Sequence, residues 1–310
     1  MARVLAFILA GLSALFWAGN MIAGKLIVSF VAPLPAAAVR FIIASILLVL
    51  ILVFFEKNYW PVIKKNLGVY ALLGLIGIAG FNYFLFLGLK YTSAVNGALI
   101  MATNPIVTLL LSALILKEKI KSYQKIGIIF SLAGVVIVIT HASIDMLIHL
   151  HISIGDAIIL AGNICWALYS VLSKRFVQGG TAIINTSTSI IIGTLILLIL
   201  CNTNFPSPVA LQALPWHVNA GFLYMAVFGT VLAFLFWNYS VHHLGASNTA
   251  IFMNLMPVFT MLLSLALGTP VSLLQVLGGA LVILGVLISS NTIRLPQMKL
   301  SKGINDNASL

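Results

Sequence analysis

The sequence predicts an all-α polytopic membrane protein: ten transmembrane helices in two inverted five-helix repeats around a central cavity. Three observations predict it. The 310 residues are 62% hydrophobic and only 7% charged, with a mean hydropathy of +1.17, outside the range of a soluble domain. Apolar windows of the ~20 residues that cross a bilayer recur at about 4–29, 34–55, 67–88, 93–115, 123–140, 154–175, 181–201, 217–240, 246–267 and 272–292. The stretch Ser93–Ser112 returns 152 positions later as Gly245–Ser264, with identical pairs that include Asn96/Asn248, Met101/Met253, Pro105/Pro257, Thr108/Thr260 and Ser112/Ser264. Five spans per copy is an odd number, so the second copy enters the membrane from the opposite side. The expected units are a first repeat over 1–142, a second over 153–292, and a polar, aperiodic cytoplasmic tail over 293–310.

Helix 1 starts after Arg3 and runs to about Val31, longer than a signal-peptide core, and reads as a retained span. Ser13, Trp17, Asn20 and Gly24 recur along one of its faces, and helix 6 answers with Asn163, Trp166, Ser170 and Ser173. Trp17 stands eight residues before Lys25, and Trp166 eight before Lys174. Each lysine suits either the mouth of a cavity or a snorkelling position at the interface. Arg40 lies one or two turns into helix 2; a cation at that depth is a functional candidate, and anchoring to lipid headgroups is the alternative. Helix 3 brings Asn82, Tyr83 and Phe86, and helix 8 brings Trp237, Asn238 and Tyr239.

In helix 4, Pro105 has no N–H for the carbonyl of Met101, which predicts a kink and a freed acceptor facing protein or water. Pro257 repeats this in helix 9. Gly97, Met101, Asn104, Thr108 and Ser112 share one face of helix 4; Thr249, Met253, Met256, Thr260 and Ser264 share one face of helix 9, beside Asn254. The small and hydroxylated members serve either a cavity or plain helix packing. Gly127 and Gly134 in helix 5, repeated as Gly278 and Gly285 in helix 10, read as close-contact faces. Tyr59, Trp60 and Trp216 fit interfacial aromatic belts.

The net charge of +11 reports orientation rather than nucleic-acid binding, because the cations sit in short hinges between apolar runs. An inside N-terminus places thirteen of the sixteen Lys and Arg residues in the cytoplasm, leaving Lys25, Arg40 and Lys90. Both termini are therefore expected in the cytoplasm, with the chain multi-pass in a cell membrane, most simply a bacterial inner membrane.

Inverted repeats with interrupted helices place a binding site near the midplane. The expected substrate-binding residues are Trp17, Asn20, Arg40, Asn82, Phe86, Met101, Asn104, Trp166, Trp237, Asn238, Met253 and Asn254. Neutral amides and aromatics with a few cations suit an amino acid or another small zwitterion or anion. The expected partners are that small molecule and the lipid bilayer, with no nucleic acid, and the chain is expected as a monomer or homodimer. No cofactor is expected. A membrane-embedded enzyme and a non-transporting accessory protein are the competing classes. The sequence has no His-Glu-x-x-His, and Glu56, Glu118, Asp145, Asp156 and Asp306 all lie in hinges, at a helix start or in the tail. His141, Asp145 and His149, with His151 nearby, have metal-like spacing, against the commoner reading of a solvated hinge.

Together, Trp17, Lys25, Arg40-Phe41, Tyr91-Thr-Ser-Ala94, Pro105, Glu118, Gly127 and Gly134-Val135 in the first copy, and Trp166, Lys174, Trp237, Gly245-Ala246, Pro257 and Gly278 in the second, resemble the EamA-type family of the drug/metabolite transporter superfamily. The resemblance covers nearly the whole chain. It implies ten helices in two inverted repeats that move small metabolites by alternating access, with export favoured. One departure is that Thr269-Pro270 stands after helix 9, where the family has an acidic residue.

Overall fold

The computed structural model describes residues 2–92, 94–140, 143–149, 153–201, 205, 211, 213–268 and 270–293. His141, His151, Thr269 and the tail beyond 293 lie outside them. The described residues form ten apolar helices: α1 Ala2–Ile27, α2 Pro33–Phe55, α3 Tyr59–Gly88, α4 in two pieces (Ala94–Ala102 and Asn104–Ile115), α5 Ser122–Thr140, α6 Ile154–Phe176, α7 Ala182–Cys201, α8 Trp216–Leu244, α9 Ala246–Ala266 and α10 Leu273–Ser289. At 17 residues α10 reaches ~25 Å, the lower limit for a span. The 30-residue α3 starts at Tyr59 rather than near 67, because an amphipathic turn carrying Lys64 and Lys65 continues the apolar helix into the interface.

Ten alternating helices put Ala2 and Ile293 on one side, together with Lys57, Lys64, Lys65, Lys117, Lys121 and Lys174. This side is termed the basic face. The two copies interlock rather than stand side by side. α1 packs on α8 and α9, and their inverted equivalents repeat the arrangement as α6 on α3 and α4. α2 packs on α7, where the equivalent residues Ser45 and Thr194 meet hydroxyl to hydroxyl at 2.9 Å. α5 packs along α10 through the glycines: a Cβ on Gly127 would lie 2.5 Å from the Gly285 carbonyl oxygen, and one on Gly134 2.5 Å from that of Gly278. Only glycine permits that approach.

Two departures from regular helix matter for the interior. α3 carries a π-helical stretch over Gly74–Gly80 and α8 another over Val227–Leu232. Wide turns expose carbonyls that a regular helix would bond to itself. In α8, the Gly229 carbonyl accepts the Trp17 indole N–H at 3.0 Å. The second departure is in the proline helices. α4 breaks at Thr103, and α9 tightens into a 3₁₀ turn over Ile251–Asn254. At the break the Ile100 carbonyl accepts from Thr103 N at 3.0 Å and from Asn163 Nδ2 of α6 at 2.8 Å. The break is thus closed by protein, since a bare carbonyl at this depth costs several kcal/mol.

Candidate functional site

The interior is organised around aromatic rings from both copies. Trp17 of α1 and Trp166 of α6, equivalent by the repeat, meet edge to face at 5.3 Å between centroids. Trp237 lies 5.1 Å from Trp17 and 5.8 Å from Trp166, and Phe234 packs against both. Each indole N–H is satisfied within the cluster: Trp17 at Gly229, Trp166 at Met253 Sδ (3.1 Å) and Trp237 at Ser170 Oγ (3.0 Å). Met101 and Met253 pack on the same cluster. Rings with their polar edges paired make a dry barrier between the two faces of the protein.

On the side of this barrier away from the basic face lies Arg40, only 8% exposed. One guanidinium nitrogen, Nη2, donates to Asn82 Oδ1 at 3.1 Å, and Nε has no partner. Asn82 is held in turn by donating to the Ile78 carbonyl at 2.7 Å. The guanidinium lies over the ring of Phe41, at 4.4 Å, and Phe41 touches Phe234 of the aromatic barrier. Among the described residues no carboxylate forms an ion pair with Arg40. A buried cation with one neutral hydrogen bond is strongly disfavoured unless an anion joins it. On the same side, the buried Asn20 has an unpartnered Oδ1.

Towards the basic face most of the polar atoms belong to the second copy. Asn238, 3% exposed, donates to Tyr169 Oη and Thr186 Oγ1, both at 2.8 Å, and leaves its Oδ1 without a partner. Tyr70 donates to Asn185 Oδ1 at 2.8 Å. A cavity of about 160 Å³ opens here, lined by Asn238, Asn185, Ser173, Lys174 and His242 among others. Lys174 Nζ donates to the His242 carbonyl at its mouth.

The remaining candidates separate from these two groups. Asn104 is fully buried against α6, donating to Asn163 Oδ1 at 2.6 Å and accepting from Thr108 at 3.2 Å. Asn254 turns outward to Ser131 of α5 at 2.9 Å. Phe86 is half-buried and, among the described residues, makes no ring contact with the aromatic barrier. Asp145 and His149 form an exposed pair at 3.0 Å, and no metal-holding group occurs among the described residues. Sequence reasoning passed over the run Asn185-Thr186-Ser187-Thr188-Ser189 of α7, every member of which is buried. Five successive polar residues inside an apolar span were the available signal.

Hinges tie the faces together. Asp156 caps α6 by accepting from Ser153 N at 2.7 Å, and also accepts from Thr92 at 2.5 Å and Asn96 at 3.2 Å. On the basic face Glu118 accepts from Ser247 at 2.9 Å, and Gln124 donates to Asn248 at 3.1 Å. The repeat-equivalent Asn96 and Asn248 thus fasten the starts of α4 and α9 on opposite faces.

Ten spans, duplicated with inversion and meeting at an aromatic barrier with buried polar groups on either side, define a multi-pass membrane transporter. The EamA-like transporter family model matches residues 4–140 and again 153–291, and the chain belongs to that family. It is 45% identical over 273 residues to the uncharacterized transporter YyaM of Bacillus subtilis (strain 168), covering 88% of this chain and 89% of that one. An uncharacterized transporter of Archaeoglobus fulgidus is 28% identical over 286 residues, 91% of this chain and 97% of the relative. A crystal structure of a protein 18% identical in sequence matches 94% of this chain and 96% of its own, with a TM-score of 0.77, a likeness of fold.

Proposed function

We propose that the protein carries a small metabolite bearing a carboxylate or similar anion, an amino acid or comparable small zwitterion or anion, by alternating access across a bacterial inner membrane. Both termini lie in the cytoplasm and export is the favoured direction in this reading. The observation that carries it is Arg40, buried and lacking an anionic partner. Orientation is supported by the clustering of cations on the basic face. Movement is supported by the interrupted α4 and α9 and the wide turns of α3 and α8. The pathway runs past Asn20, Arg40 and Asn82, through Trp17, Met101, Trp166, Trp237 and Met253, to Asn238. Phe86, Asn104 and Asn254 shape it from outside.

The test is uptake of radiolabelled amino acids and organic anions into proteoliposomes. The parent protein is expected to move at least one carboxylate-bearing compound. Arg40→Gln should slow it by about tenfold or more, as for the loss of a hydrogen bond from a buried charged group. Transport by a well-folded Arg40→Gln protein at the parent rate would leave Arg40 as a packing partner of Asn82 and Phe41 and remove the basis of the reading.

A further inference from the structure

We propose that the cavity on the basic face is a second binding station, separate from Arg40, that holds a small carboxylate carrying a hydrogen-bond donor, the class to which α-amino acids belong. The station rests on the transport reading for its place on a pathway, but its chemistry comes from its own walls.

The inner end is set by Asn238. Hydroxyl groups fix which way its amide points. Ser189 spends its only proton on the Asn185 carbonyl at 2.6 Å, so across the 3.3 Å contact it accepts from Tyr169. Tyr169 then has only lone pairs for Asn238. Thr186 donates to the Phe234 carbonyl at 3.4 Å and likewise accepts from Asn238. Both neighbours therefore require the Nδ2 side of the amide, and Oδ1 is left as a buried acceptor without a partner, closed off from water, on a residue that lines the cavity. Such an atom costs roughly 1–3 kcal/mol until a donor reaches it. The companion amide, Asn185, is held by Tyr70 and makes the other wall.

The outer end is set by Lys174. Its ammonium has three protons and spends one on the His242 carbonyl, which leaves two aimed at whatever occupies the mouth. No carboxylate lines the cavity, so its only fixed charge is positive. His242 follows Asn238 by one helical turn, about 6 Å of backbone rise, so the cation sits one turn nearer the end of the helix than the residue that carries the orphan acceptor. The cavity's 160 Å³ is about the share of five waters. An anion at the mouth and a donor one turn deeper, in that volume, describe a small amino or hydroxy carboxylate. A simple carboxylate leaves Asn238 unpaired, and a simple amine leaves Lys174 unpaired.

Thermal-shift titration of the Arg40→Gln protein in nanodiscs, in which the other anion site is removed, tests this, using the proteinogenic L-amino acids singly and, for each that stabilises, its methyl ester and its deaminated acid. At least one amino acid should raise the Tm, while its ester and its deaminated acid should not. Lys174→Gln should raise the half-maximal concentration about tenfold, as for loss of a charge-assisted contact. Lys174→Arg should restore it to within about threefold. Lys174 is exposed, so neither variant threatens folding. No stabilising amino acid, an ester that stabilises as well as its parent, or a Lys174→Gln protein that binds normally would make the cavity a water-filled pocket only. Binding that disappears with Arg40→Gln but survives Lys174→Gln would also overturn the station, while leaving the transport reading intact.

Discussion

The same three-residue pattern, an aromatic followed by Asn-Tyr, lies beyond the wide turn in both α3 and α8, yet the two asparagines do opposite things. Asn82 offers its oxygen, and Arg40 of α2 takes it. Asn238 offers its N–H groups to the hydroxyls of Tyr169 and Thr186, and its oxygen is left open. The partner helices, α2 and α7, are themselves equivalent. What differs is their side chains: α2 has one cation where α7 has a run of hydroxyls and an amide. Inversion has kept the scaffold symmetrical while the chemistry diverged. One half buries a cation that has no ion-pair partner among the described residues, and the other presents an acceptor.

The sharpest way to break this comparison is to place the same change in both copies. Asn82→Asp should give Arg40 a permanent carboxylate and close it to substrate, with uptake in proteoliposomes falling by about 100-fold. Asn238→Asp replaces the N–H groups that Tyr169 and Thr186 accept and should cost about tenfold in uptake, with a loss of Tm that Asn82→Asp does not show. Equal losses would mean that the two halves do the same work. A second contrast concerns the glycine seam. A Cβ at Gly134 meets the Gly278 carbonyl oxygen at 2.5 Å and Val282 N at 2.6 Å, whereas one at Gly278 first meets the side chain of Ile137 at 2.7 Å. Backbone yields less than a side chain. Gly134→Ala should therefore destabilise by about 2–3 kcal/mol and Gly278→Ala by about 1 kcal/mol, read as the order of Tm loss in detergent. The smallest effect is expected at the prolines. Pro105→Ala and Pro257→Ala should each slow transport by about threefold and bias opposite open forms, because the inverted copies exchange roles. Cysteine accessibility at position 104 or 254 from each side of the membrane is the measurement; unchanged accessibility in both would reduce the proline pair to a packing feature.

The ten spans and their duplication were legible because membrane crossing needs about 20 apolar residues, and because Asn96/Asn248 and Pro105/Pro257 survive as identical pairs. Trp17 and Trp166 were legible as an equivalent pair, and they do meet. Partnerships across helices were not. Periodicity assigns Asn104 to an inward face, but only the crossing of α4 and α6 shows that Asn163 fills it. Asn254 is the chain neighbour of Met253, so the two point about 100° apart, one to Trp166 and the other to Ser131. The polar run of α7 leaves its partners undetermined, since every face of a helix buried on all sides finds a neighbour. The wide turns leave no local mark in sequence beyond their glycines.

Those turns carry a mechanical consequence. A π-helical stretch stores a surplus residue, and moving it along the chain turns each residue it passes by about 100° without lengthening the helix. Asn82 and Asn238 both lie downstream of such a store, at Gly74–Gly80 and Val227–Leu232. Each amide can thus be re-aimed while the ends of its helix stay anchored in the lipid, the motion of a key turning in a lock rather than of a lever being tilted.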